Sequence, residues 1–295
     1  MGILKGIILL GMIIIYILIG IFVRLITSVF PFLCCRIMSR QNRILSLFIR
    51  KLIGIELSIE GETGYLNERG NFIIANHLGY LDGIILSSLF PLIFVTKLQV
   101  KSWPVFGWMS RVGCTVFIDR SSRLKSAETV GAMEKLLGNK INVLFFPEGT
   151  STDGSRILNF IPAYFQSVLN SGASIIPITI QYTKINSKAV TLSNRDWVFW
   201  YGQVKFFKHL GGVLGLKGIE ARILIHPKID SAPYNAKADG RKQLSEVSRQ
   251  TISKDFIFLK APCPKGYTFA YRKAKCASCE AVLHLCVGGK NEENQ

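Results

Sequence analysis

Acidic side chains are scarce in this chain: 19 Asp and Glu stand against 36 Lys and Arg, for a net charge of +17. An excess of that size draws a protein toward nucleic acid or an anionic membrane. The signatures of nucleic-acid readers are missing, with no recognition-helix pattern, no RNA-binding signature and no paired zinc module. Nucleic acid is therefore not an expected partner, and an anionic membrane surface is. The seven cysteines are an odd number in 295 residues, which excludes a disulfide framework. Cys34, Cys35 and Cys114 lie in apolar stretches and read as thiols in a reducing, cytosolic setting. Cys276 and Cys279 have a zinc-like spacing, but no second well-spaced pair joins Cys263 or Cys286, so no metal site is expected. Internal repeats and long low-complexity segments are lacking too.

Charge is absent altogether from Gly6 to Val23, a run close to the ~20 apolar residues that cross a bilayer core. Arg24 interrupts it, and a second apolar stretch from Leu25 to Cys35 contains Pro31. No small-residue cleavage site is evident, so a removed signal peptide is not expected. Residues 1–38 are expected to anchor the chain in a membrane. They do so either as one spanning helix or as a helical hairpin in one leaflet with Arg24 snorkelling at the bend. Lys5 alone precedes the segment, whereas Arg36, Arg40, Arg43, Arg50 and Lys51 follow it. That asymmetry puts the rest of the chain on the cytoplasmic side. Residues 41–51 read as a basic amphipathic helix.

From Ile53 onward apolar strands and helical stretches take turns. Strands are predicted at 53–59, 71–75, 92–96, 114–118, 142–146, 174–181 and 221–226, and helices near 83–89, 123–138, 160–170 and 240–256. This alternation predicts an α/β domain over residues 39–258, with a central, mostly parallel sheet flanked by helices. A cysteine-containing tail, 259–295, completes the chain. Ligands in such sheets bind beyond the carboxyl ends of the strands.

Three polar turns fall at those ends. The first is Asn76-His77-Leu78-Gly79-Tyr80-Leu81-Asp82, after an apolar run, with Gly79 allowing a tight turn and Asp82 placed to cap the next helix. A turn folds the Asp82 carboxylate onto one imidazole nitrogen of His77 and leaves the other free for a proton. This is a serine-protease triad without its serine, so the substrate is expected to supply the hydroxyl. The others are Phe117-Ile118-Asp119-Arg120 and Phe146-Pro147-Glu148-Gly149-Thr150.

Together with Ile176-Pro177-Ile178, these blocks resemble, in order and spacing over residues 50–230, the glycerolipid acyltransferases. That family includes 1-acylglycerol-3-phosphate and other lysophospholipid acyltransferases. The resemblance implies an enzyme of phospholipid biosynthesis needing no cofactor. It would move an acyl chain from acyl-CoA or acyl-carrier protein to the free hydroxyl of a lysolipid acceptor. It makes His77 the general base and Asp82 its support, with the oxyanion held by backbone amides after His77 or near Gly149. It assigns Arg120, Glu148, Gly149 and Thr150 to the acceptor's head, with Arg123 and Lys125 nearby. Lys97 and residues 104–107 would form the lip of the cleft, and Pro177 would shape the acyl tunnel or end a strand ladder. Many phosphatidic-acid-forming members carry arginine directly after the Pro-Glu-Gly-Thr run, where this chain has Ser151. Its Ser-Thr-Asp-Gly continuation looks more like members acting on other lysophospholipids or on lyso-ornithine lipids.

Overall fold

Of the three apolar runs that end in polar turns, two become the middle of a single sheet and the third forms its edge. The computed structural model describes residues 2–119 and 121–259. Its strands are β1 (Ile55–Gly61), β2 (Phe72–Ala75), β3 (Leu92–Lys97), β4 (Val116–Ile118), β5 (Asn142–Phe145), β6 (Ile175–Ile185), β7 (Lys188–Ala189) and β8 (Ile219–Ile225). Their order is β1-β8-β6-β2-β5-β3-β4, with β7 folded back on β6. Neighbours run parallel except at the β6–β8 and β6–β7 pairs. Ile73 of β2 lies between Leu144 of β5 and Ile176 of β6. Every residue of β2 and β5 is buried, which is why they read as continuous apolar runs and not as alternating ones.

The helices are α1 (Gly2–Ile26), α2 (Pro31–Ile53), α3 (Tyr80–Leu89), α4 (Phe106–Val112), α5 (Arg123–Gly138), α6 (Gln166–Ser171), α7 (Phe206–Leu214), α8 (Ala232–Asn235) and α9 (Gly240–Ser253). Proline opens α2 at its first turn, where a missing N–H costs nothing, and Gly54 closes it in the left-handed region (φ 85°). The helix predicted over 41–51 is the second half of α2, which runs unbroken through residue 38. Three helices went unread, the short α8 among them. Pro104 and the left-handed Val105 (φ 64°) disguise the start of α4, and Gly211-Gly212 sit inside α7. The helix predicted near 160–170 splits into a 3₁₀ turn, Pro162–Phe165, followed by α6. The compact unit ends at Phe258, and the cysteines at 263, 276, 279 and 286 lie outside the described residues.

α1 is long and apolar enough to cross a membrane, yet it is fastened to the domain at both ends. Lys5 Nζ donates to the carbonyls of Leu216 (3.1 Å) and Ile53 (3.3 Å). Arg24, expected at the bend, instead donates to the carbonyls of Val112 (3.4 Å) and Arg111 in α4. One face, with Leu9, Ile13, Tyr16 and Val23, is buried against the domain. The other exposes Ile7, Ile14, Leu18, Phe22 and Leu25.

Candidate active site

β2 delivers His77. Before it, Asn76 clasps β6 in both directions, donating to Ile180 O (3.0 Å) and accepting from Ile180 N (2.8 Å). The segment after β5 then grips the His77 backbone. The His77 amide donates to Glu148 Oε1 (2.8 Å), and the His77 carbonyl accepts from Thr152 N (2.9 Å). Phe146 stacks flat on the imidazole, with ring centroids 4.1 Å apart. Backbone and ring are thus both fixed by neighbours far away in sequence.

α3 delivers Asp82, which caps the helix from its third position and not as the N-cap residue, Gly79. The helix starts at Tyr80, which makes Asp82 the third residue of the first turn. From there Oδ2 meets His77 Nδ1 (2.9 Å) and accepts from the amides of Leu78 (2.6 Å) and Gly79 (2.8 Å). Oδ1 accepts from the Tyr182 hydroxyl of β6 (2.8 Å). The carboxylate is fully buried, and these four donors replace the water it gives up. Burial, reinforced by the Asp82 charge, raises the Tyr182 phenol well above its usual range, so it stays a donor. Facing a carboxylate, Nδ1 carries the proton. Nε2 is then left as the basic nitrogen, with no partner among the described residues. Gly79 is needed for space: its backbone is extended (φ 167°), and an added Cβ would meet Trp200 N at 2.9 Å.

An apolar cavity of about 810 Å³ opens beside His77, a size typical of ligand pockets, which span roughly 300–1,000 Å³. Its walls run from Phe146 and Thr150 past Phe94 and Met109 to Leu45 of α2 and Ile13 of α1. Lys97, Gly149 and Thr150 line it as the sequence suggested, and Gly149 makes its turn with φ 69°.

Other expected site residues lie elsewhere. Glu148 is buried behind His77 and not on the cavity wall, with Oε2 accepting from Leu158 N (2.8 Å). Burial pushes its carboxyl up to about 7, against the pull of the two amides that donate to it. It is a strut, and no helix starts there for it to cap. Pro177 is buried in β6 opposite Ile74, and its carbonyl accepts from His226 N (3.0 Å); it too is off the cavity wall. Lys125 is engaged by Asp119 (2.8 Å). Arg120 lies outside the described residues. The amides just after His77 are not free for an oxyanion, because Asp82 holds both of them and Gly149 N donates to Phe146 O (3.0 Å).

Sequence reading missed Tyr182 and a set of aromatic rings over the turn: Tyr80, Trp103, Trp200 and Phe206. Trp200 N donates to Leu78 O (2.9 Å), Trp200 O accepts from Ser151 Oγ (2.5 Å), and Tyr80 meets His209 Nδ1 at 3.0 Å. Tyr80 lies inside the His77–Asp82 block, but no motif marks Trp103, Tyr182, Trp200 or Phe206; only the fold gathers them.

Comparison with known proteins bears on this arrangement. The sequence model of the family described as Acyltransferase matches residues 56–181, which hold both His77 and Asp82. The chain is 30% identical over 210 residues to the lyso-ornithine lipid O-acyltransferase of Rhizobium meliloti, covering 69% of this chain and 70% of that one. It is 33% identical over 218 residues to the 1-acyl-sn-glycerol-3-phosphate acyltransferase of Neisseria gonorrhoeae, covering 74% and 83%. In fold it is similar to the crystal structure of the 1-acyl-sn-glycerophosphate acyltransferase of Thermotoga maritima. The TM-score is 0.56 at 17% identity, over 86% of this chain and 97% of that one.

Proposed function

The chain belongs to the glycerolipid acyltransferase family, and from that premise we propose that it esterifies the free hydroxyl of a lysolipid with an acyl group from acyl-CoA or acyl-carrier protein. The observation that carries this reading is the pair at the cavity: His77 Nδ1 tied to buried Asp82 at 2.9 Å, with Nε2 left open beside an apolar space of about 810 Å³. The acceptor hydroxyl gives its proton to Nε2 as its oxygen attacks the thioester carbonyl. The tetrahedral intermediate then collapses, and the departing thiolate takes the proton back from the imidazolium. Asp82, steadied by Tyr182, supports the positive ring in between. The amides of Thr150 and Ser151 have no partner among the described residues and sit in the turn that lines the cavity, which suits them to the oxyanion.

The membrane is the expected home, with the catalytic domain on its cytoplasmic face. Fastening of α1 to the domain at Lys5 and at Arg24 favours insertion of α1 and α2 into one leaflet over a spanning helix. Two acceptors are in play, since one relative is named for lyso-ornithine lipid and the other for 1-acyl-sn-glycerol-3-phosphate. Ser151 favours the former. It stands where an arginine would meet a phosphate, and its hydroxyl is committed to Trp200 O.

The test supplies one labelled acyl thioester and a panel of lysolipids to membranes carrying the protein, with products read by mass spectrometry. Labelled diacyl lipid and released thiol in equal amounts are expected, with lyso-ornithine lipid the better acceptor. Failure to acylate any lysolipid would overturn the reading.

A further inference from the structure

Three cysteines from two distant places in the sequence share one side of the packed N-terminal helices. Cys34 and Cys35 are neighbours near the start of α2, and Cys114 lies in the loop between α4 and β4. The Cys34 and Cys114 sulfurs are 3.9 Å apart with no covalent bond between them. Cys34 and Cys35, successive residues of one helix, point about 100° apart around its axis and cannot bridge each other. Among the described residues Cys114 is therefore the one partner available to either.

Two further features single out Cys114. Its backbone is left-handed (φ 59°), a conformation that favours glycine and that a residue with a Cβ holds only under constraint. The Arg24 guanidinium also reaches its sulfur at 4.0 Å, a cation that offsets part of the upward push on this thiol's pKa from Cys35 and from burial. Cys34 is buried, whereas Cys114 is half-buried and open to a small reagent. None of the three lines the cavity next to His77 or takes part in acyl transfer.

We propose that Cys114 and Cys34 form a reversible disulfide that staples α2 to the loop entering β4 when the protein meets a hydroperoxide. In the first step the thiolate of one cysteine of the pair attacks the O–O bond of ROOH. Cys–SOH forms and ROH leaves, the sulfur being oxidised and the peroxide reduced. In the second step the other sulfur, 3.9 Å away before reaction, attacks the sulfenic sulfur, the S–S bond forms and water leaves. Overall two thiols and one hydroperoxide give one disulfide, one ROH and one water. A thiol reductant reverses the change. Thr115 and Ile118, just beyond this loop, line the cavity, so the staple would hold one of its walls against α2.

The experiment treats the full chain in detergent micelles with hydrogen peroxide in one arm and a lipid hydroperoxide in another. Intact mass and peptide mapping are recorded with and without reductant. The expected result is a loss of about 2 Da, a mapped Cys34–Cys114 link and full reversal by reductant. Cys34→Ser and Cys114→Ser each abolish the link, and Cys35→Ser keeps it. A faster reaction with the lipid hydroperoxide would assign the oxidant to the bilayer, and a faster one with hydrogen peroxide would assign it to the aqueous phase. Absence of the link in both arms, or a link through Cys35 or the tail cysteines that leaves Cys34 free, overturns the proposal. Acyl transfer by Cys114→Ser under reducing conditions serves as the check that this variant is folded.

Discussion

At the scale of single residues, the site depends on groups that never touch the cavity. Tyr182 reaches the dyad only through Asp82 Oδ1. A hydrogen bond to a charged group is worth roughly 1.5–3 kcal/mol, and its loss frees the carboxylate to rotate away from Nδ1. Tyr182→Phe is therefore expected to lower kcat about tenfold at unchanged KM for the acceptor, read from steady-state acyl transfer. Glu148 makes a separate prediction. Its folded pKa of about 7 lies above the unfolded value of 4.5. The stability it lends is thus complete below pH 4.5, is lost as pH rises toward 7, and changes little beyond. A shift of that size corresponds to something on the order of 3 kcal/mol. Thermal melts at pH 5 and pH 8 are expected to show a larger drop for the wild type than for Glu148→Gln. Equal drops would count against the buried acid.

At the scale of elements, α1 is held by close approach. A Cβ on Gly20 would lie 2.8 Å from Val112 Cβ in α4, and that stiff β-branched side chain has little room to give. Gly11, on the same helix, has nothing within 4 Å. Gly20→Leu is expected to destabilise by about 1–3 kcal/mol through overpacking, whereas Gly11→Leu is neutral or stabilising. Melting of both variants in the same detergent separates the two outcomes.

Elements also show what the sequence made legible. The buried strands announce themselves as continuous apolar runs and α9 by its apolar period, and the His77–Asp82 pair follows from a turn at a strand end. α4 and α7 stayed hidden because Pro104 and Gly211-Gly212 carry helix-breaking signals that tertiary packing overrides. The role of Glu148 was misread for a different reason. A carboxylate beside a glycine turn reads the same whether it faces a ligand or a backbone amide, and only the meeting of β2 with β5 decides which.

At the scale of the whole molecule, the hairpin of α1 and α2, the cavity and the dyad form one continuous path. The exposed face of α1 carries Ile7, Ile14, Leu18 and Phe22, while its buried face closes the far end of the cavity with Leu9 and Ile13. His77 stands at the other end. An apolar chain in that space would bring its polar terminus to Nε2, so the proposed membrane attachment and the proposed proton transfer would be served by the same packing. The most direct measurement is acyl transfer by His77→Ala in isolated membranes, at matched protein abundance and with acceptor and thioester both saturating. The account predicts a fall of roughly 10²–10⁴-fold, the usual worth of a positioned general base. Turnover within a few-fold of wild type would contradict it.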